Sequence, residues 1–168
     1  MKIRKIMAMV LVLVFAGCMA IAEVPAKVGA EAPDFEIKMT DGEIFKLSDH
    51  RGKVVFLNIW ATWCGPCVSE MPDIQKLADA YPEDLVVIGV SCDDDAYEVV
   101  KFIQENGFTY NIAVDKTMDV SGMLYPSYAI PNSIFIDANG IVTSIEAGAA
   151  SYEVLEGRFL EAKENTQK

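Results

Sequence analysis

The stretch Val54-Val55-Phe56-Leu57-Asn58-Ile59-Trp60 carries a single polar side chain, and shortly after it the chain reads Cys64-Gly65-Pro66-Cys67. A strand this apolar must be covered on both faces, which places it at the centre of a sheet in a layered fold. The Gly-Pro that follows marks a change of structure. Proline presets φ for the first helical turn and has no N–H to leave unpaired there. The two cysteines therefore stand where a central strand ends and a helix begins.

The flanking sequence supplies the other layers. Phe35, Ile37 and Met39 alternate with polar residues, Asp41-Gly42 is a turn signal and Ile44 to Leu47 returns, which predicts a hairpin. After Pro66, residues Met71, Ile74, Leu77, Ala78 and Tyr81 recur at helical steps until Pro82 stops them. Leu85 to Val90 is a second buried strand, and Ala96 to Asn106 a helix ended by Gly107. Tyr110 to Val114 is a short strand and Asp119 to Leu124 at most a short helix. Ser133 to Asp137 and Ile141 to Glu146 form a second hairpin around Ala138-Asn139-Gly140, and Ser151 to Lys163 closes the chain with a helix. The expected fold is α/β: a central mixed sheet flanked by helices, with an extra N-terminal β-hairpin.

A cysteine at a helix start is placed to be a thiolate. The first N–H groups of a helix are unpaired and its dipole end is positive, so an anionic sulfur is stabilised there. A thiol pKa lowered from about 8.5 toward 7 raises the thiolate fraction near neutrality from a few per cent to about half. Gly65 lets the chain turn and Pro66 leaves no competing N–H. Cys64, at the helix edge, is the expected nucleophile, and Cys67, one turn in, the resolving thiol.

Other uses of the pair fit less well. A structural zinc site wants four ligands, and the chain has no second paired-cysteine motif and one histidine, His50. A c-type haem site needs histidine after the second cysteine, where Val68 stands. A staple closing so small a loop removes little denatured-state entropy. No metal is expected, and no cofactor beyond a redox-active Cys64–Cys67 disulfide.

The first residues look like an export signal. Lys2, Arg4 and Lys5 precede the apolar run Ile6 to Ala16, which is too short to span a bilayer core of roughly 30 Å. Three outcomes stay open. Phe15-Ala16-Gly17-Cys18 resembles a lipobox, which would make Cys18 a lipidated N-terminus. Ala20-Ile21-Ala22 fits ordinary cleavage after Ala22, releasing a soluble secreted or periplasmic protein. The segment could also stay uncleaved as an anchor. All three put the domain outside the cytoplasm, in oxidising surroundings. The expected layout is 1–22 signal or lipobox region, 23–31 tether and 32–168 domain. A net charge of −11 argues against nucleic acid as a partner and reads as a solvated surface, with Asp93, Asp94 and Asp95 its one local run.

Trp63-Cys64-Gly65-Pro66-Cys67 is the active-site motif of thioredoxins, and further segments resemble the extracytoplasmic ResA/TlpA-like branch of that superfamily. They are Gly29 to Phe35, an entry segment shared with peroxiredoxins; Asn58 to Trp63; Glu70-Met71-Pro72; and Ile130 to Asp137, similar to the family's cis-proline strand. The resemblance spans roughly residues 28–160. It implies a thioredoxin-like fold and a cis Pro131 beside the cysteines. It also implies a client-contact surface of Trp63, Gly65, Pro66, Ile130 and Pro131, with the Ile130 backbone pairing an extended client segment. Asn132 departs from the family's more usual threonine. Many thioredoxins carry a buried aspartate at the position of Asn58; an amide cannot titrate, and in ResA-like proteins a glutamate in the place of Glu70 does that work. Cys67 and Glu70 share one helix face. The plainer account of Glu70 is an acid favoured near a helix start.

The implied function is thiol–disulfide exchange at the outer face of the cytoplasmic membrane. A monomer would reduce exported proteins, such as apocytochrome c, and be recharged by a membrane electron-transfer protein. Gly-Pro between the cysteines favours the reducing direction, since thioredoxin lies near about −270 mV and the oxidant DsbA near about −120 mV. A disulfide-forming oxidant is the alternative on the same fold. A metal-binding chaperone would call for three residues between the cysteines and a later histidine, and a peroxidase has only the entry segment in its favour. Trp60 is expected to pack, Trp63 to pack and shield the sulfurs, Cys92 to be passive and His50 to be a surface residue.

Overall fold

The computed structural model describes residues 25–166. Its strands are β1 (Glu36–Lys38), β2 (Ile44–Lys46), β3 (Val54–Trp60), β4 (Leu85–Ser91), β5 (Asn111–Val114), β6 (Asn132–Ile136) and β7 (Val142–Ala147). Its α-helices are α1 (Gly65–Ala80), α2 (Ala96–Asn106) and α3 (Tyr152–Asn165). A five-stranded sheet runs in the order β5-β4-β3-β6-β7, and β1 and β2 pair separately. β3 lies at its centre, parallel to β4 and antiparallel to β6, so the sheet is mixed, as the sequence predicts.

All seven residues of β3 are buried, and the strand's alternation sorts them between two cores. Val54, Phe56 and Trp60 join Met71, Ile74 and Leu77 of α1, Val99 of α2 and Phe159 of α3. Val55, Leu57 and Ile59 join Phe35, Phe45 and Leu47 around the hairpin, with Val120, Leu124 and Tyr125. Asn58 has the parity of the helix face. Phe56 and Phe135, opposite each other in the β3–β6 register, stack at 4.4 Å, a pairing worth about 0.5–1.5 kcal/mol beyond its burial. Gly89 allows β4 to pass close to the Trp60 ring; a Cβ there would lie 3.1 Å from Trp60 Nε1 and 3.2 Å from Tyr110.

The helix ends follow the sequence signals. Asp95 caps α2 by accepting from the Tyr97 N–H at 2.9 Å. Gly107 ends it in the left-handed region at φ 73°, where glycine avoids the Cβ clash. Residues 119–124 form one π-helical turn, held by Asp115, whose carboxylate accepts from the N–H groups of Asp119, Val120 and Ser121.

Three local readings change. Composition makes 23–31 a tether, yet Ala26 donates its N–H to Leu124 O and Gly29 to Val142 O, and Glu31 bridges Ile141. The described part of that segment lies on the domain because these backbone bonds and Ala32 tie it down. His50 is more than a surface residue: it ends a 3-10 turn and stacks on Phe45 at 4.5 Å, and burial lowers its pKa. Trp60 is fully buried, whereas Trp63 is 71% exposed and does not pack into the core. The proposed processing sites, Cys18 and Ala22, lie outside the described residues.

Candidate active site

Cys64 caps the N-terminus of α1. Its Sγ accepts from the Cys67 N–H at 3.2 Å, and Pro66 occupies the first turn. The two cysteines are joined as a disulfide. An N–H that points at Cys64 Sγ is the local form of the helix-start stabilisation expected for a thiolate once the bond is reduced. Cys67 is fully buried, whereas Cys64 keeps a small exposed edge, so an incoming group meets Cys64 first.

The chain beside the disulfide is the segment that leads into β6, the strand next to β3. The Ile130–Pro131 peptide is cis, and the Ile130 carbonyl oxygen lies 3.7 Å from Cys64 Sγ. A groove of about 330 Å³ opens next to it, lined by Trp63, Cys92, Met118, Tyr128 and Ile130. Trp63, Met118 and Tyr128 are exposed apolar side chains around it. Gly65 and Pro66 lie on the helix start, away from this lining. Sequence reasoning missed Met118 and Tyr128, because the segment between β5 and β6 has no periodicity that marks which residues face the cysteines. Cys92 lines the groove half-buried; burial pushes its thiol pKa up, which makes it a poor nucleophile.

Behind the disulfide, Glu70 is 2% exposed. Its Oε1 accepts from Asn58 Nδ2 at 2.9 Å and its Oε2 from the Ala150 N–H at 3.0 Å. Burial raises its pKa above the usual carboxylate range; the two donors oppose that and nearby Asp73 adds to it. A buried carboxyl one helical turn from Cys67 thus holds its proton more tightly than an exposed one. The structure thus brings Cys64, Cys67, Glu70, Trp63, Ile130 and Pro131 to one end of the sheet.

Asp93 is a further missed residue. It is 7% exposed, contrary to its reading as part of a solvated run. It accepts from the Thr62 N–H at 2.9 Å and the Thr62 hydroxyl at 2.6 Å, and so fixes the segment that leads into Cys64. No helix among the described residues is long and apolar enough to cross a membrane.

A mixed sheet, a helix-capping Cys-Gly-Pro-Cys disulfide and a cis proline against it define a thioredoxin-like thiol–disulfide oxidoreductase. The chain belongs to the AhpC/TSA family, whose model matches residues 28–145. It is 40% identical over 136 residues to thiol-disulfide oxidoreductase ResA of Oceanobacillus iheyensis, covering 78% of this chain and 70% of that one. The ResA of Geobacillus kaustophilus is 38% identical, over 80% of this chain and 77% of its own. Among solved structures, a Chlorobium tepidum protein described as thiol:disulfide interchange protein DsbE superposes with a TM-score of 0.72 at 31% identity. That match covers 82% of this chain and 98% of the other.

Proposed function

We propose that the protein reduces disulfides in exported proteins, apocytochrome c among them, while held at the outer face of the cytoplasmic membrane by its N-terminal segment. A lipid on Cys18 is the favoured attachment. The observation that carries this reading is the placing of Cys64 Sγ 3.7 Å from the carbonyl of Ile130, a residue that lines an apolar groove. An extended client segment can pair with that backbone and bring its own disulfide to Cys64.

The cycle balances in two electrons. In the reduced form the Cys64 thiolate attacks one client sulfur, a mixed disulfide forms and the other client sulfur leaves as a thiolate. Glu70 takes the Cys67 proton, and Cys67 attacks Cys64 Sγ. The second client sulfur leaves, the Cys64–Cys67 disulfide forms and the client has gained two electrons and, from solvent, two protons. A membrane dithiol protein returns the pair to the reduced state. The protein works as a monomer, with the Cys64–Cys67 pair as its redox centre.

The test is to trap clients with Cys67→Ser in the cell envelope and measure the potential of the pair against glutathione. Captured exported proteins and a potential near thioredoxin's, about −270 mV, fit the reductant. A potential near about −120 mV would make the protein an oxidant instead.

A further inference from the structure

Two of the buried polar atoms that have no hydrogen-bond partner among the described residues belong to paired positions of neighbouring strands at the back of the site. They are Asn58 Oδ1 and Ser133 Oγ. Asn58 stands directly opposite Ser133 in the antiparallel β3–β6 register, so both side chains leave the same face with Cβ atoms about 4.5–5.5 Å apart. Asn58 is fully buried and Ser133 is 5% exposed. A buried polar atom left unpaired costs about 1–3 kcal/mol, and here two stand on directly paired residues, where one water can join them. The other end of the same amide is the Nδ2 group that holds Glu70.

An amide offers a donor at one end and an acceptor at the other, and a hydroxyl can act as either. We infer that Asn58 is a reversible link between Glu70 and Ser133, turning over as Glu70 changes protonation state, so that both states of Glu70 are hydrogen-bonded inside the protein. This rests on the reading of Glu70 as the proton-handling group. With Glu70 ionised, Nδ2 donates to Oε1, as in the structure, and Oδ1 takes a hydrogen bond from the Ser133 hydroxyl across one water. With Glu70 protonated, its O–H donates to Oδ1 of the turned amide, and Nδ2 donates to Ser133 Oγ across that water. Glu70 gains one proton and loses its charge; Asn58 and Ser133 change only the direction of their hydrogen bonds. An aspartate at position 58 would instead set a second negative charge against Glu70, and an aliphatic residue would leave the carboxylate one donor short.

A cavity lies next to the outer end of this pair. Ser133 lines a cavity of about 260 Å³ between β7 and α3, together with Ala150, whose N–H is on Glu70, and with Ser144 and Arg158. The cavity gives protons a way to and from the back of the site that does not cross the client groove. The other charged or titratable groups near Glu70 do not replace the link. Asp73 on α1 is engaged with the Tyr152 N–H, Tyr110 before β5 is kept neutral as burial pushes its phenol up, and at the cavity Arg158 pairs with Glu146.

Side-chain NMR of the full chain between about pH 4 and about pH 9 tests this. The Glu70 carboxyl carbon reports its protonation, and NOEs from the Asn58 amide protons report its orientation. The expected result is that these NOEs move from Glu70 to Ser133 with the same midpoint as the Glu70 carboxyl. Amide protons that stay on Glu70 throughout its titration would overturn the link and leave the role of Glu70 standing. Ser133→Ala should hold the amide on Glu70 and lower the Glu70 midpoint by about half a unit or more. The reason is that an orphaned N–H in the protonated state is harder to bear than an orphaned carbonyl in the ionised one. Ser133→Thr keeps the hydroxyl and should restore both readouts, and an unchanged midpoint in Ser133→Ala also counts against the link. If Glu70 does not titrate in this range and Glu70→Gln leaves the exchange profile unchanged, the proton role of Glu70 itself fails.

Discussion

Asn58, in the middle of the central strand, donates to Glu70, on the first helix, through a fully protein-enclosed hydrogen bond of 2.9 Å. One contact thereby ties the strand that ends before the cysteines to the helix that begins with them. It also fixes the one carboxyl that shares a helix face with Cys67. The site is built as two halves on either side of the disulfide: an open, apolar client groove along Trp63 and Ile130, and an enclosed polar end at Glu70. On the function proposed above, electron transfer belongs to the first half and proton transfer to the second.

The unequal exposure of the two sulfurs predicts unequal phenotypes. Cys64→Ser should reduce exchange with a model disulfide to the uncatalysed rate, because the buried Cys67 offers no path for attack. Cys67→Ser should keep the first step and accumulate a mixed disulfide, visible as a stable adduct by mass spectrometry. Full activity in Cys64→Ser would reverse the assignment.

The raised pKa of Glu70 has a consequence for stability as well as rate. A carboxyl whose folded pKa lies above its unfolded value binds a proton more tightly when folded. Its favourable contribution is therefore complete below the unfolded value of about 4.3 and is lost as pH rises through the folded one. Glu70→Gln stays neutral throughout. Its stability relative to the wild type should accordingly rise from about pH 4 upward and level off above the Glu70 midpoint, as read from urea midpoints at each pH. The same substitution should remove the part of the exchange rate that rises with Glu70 ionisation. A flat difference would mean that Glu70 titrates as an ordinary surface acid.

Asp93 gives a prediction of a different kind, since it touches neither sulfur. Asp93→Ala would leave the Thr62 N–H without its acceptor and should cost about 1–3 kcal/mol, measured by thermal or urea unfolding. Asp93→Asn keeps an acceptor and should recover much of that. Exchange should slow in Asp93→Ala even under conditions where the protein stays folded, because the segment that positions Cys64 loosens.

Asp93 also shows where the sequence stops being readable. In the run Asp93-Asp94-Asp95 the first residue is buried, the next is exposed and the third caps α2. Three identical letters take three roles according to how far each lies past the end of β4, and nothing in their order distinguishes them. The central strand was readable because its apolar run has only one physical home, and the disulfide because Gly-Pro at a strand-to-helix junction has few uses. Asn58 stood out as a polar exception in that run. Its partner across the sheet did not, because the pairing of β3 with β6 depends on a register that joins residues far apart in the chain. Residues 26–31 were misjudged for a related reason. Small residues suit a flexible tether, but they also suit a backbone laid closely against a sheet edge, and only the tertiary bonds to Leu124 and Val142 decide between them.

The groove yields the prediction most specific to clients. Tyr128 is fully exposed, Trp63 largely so and Met118 partly so, and together they flank the path an extended segment must take to Cys64. Aromatic anchors of this kind each contribute about 1–2 kcal/mol to a protein contact, which corresponds to roughly 5- to 30-fold in affinity. Tyr128→Ala and Trp63→Ala should therefore raise KM for a disulfide-bonded protein client by roughly that factor. The change in kcat should be less than about twofold, since neither side chain holds a sulfur or the buried Glu70 carboxyl. Steady-state kinetics with a protein client separate the two effects. A fall in kcat with KM unchanged would place these side chains in the exchange chemistry and move client recognition elsewhere on the surface.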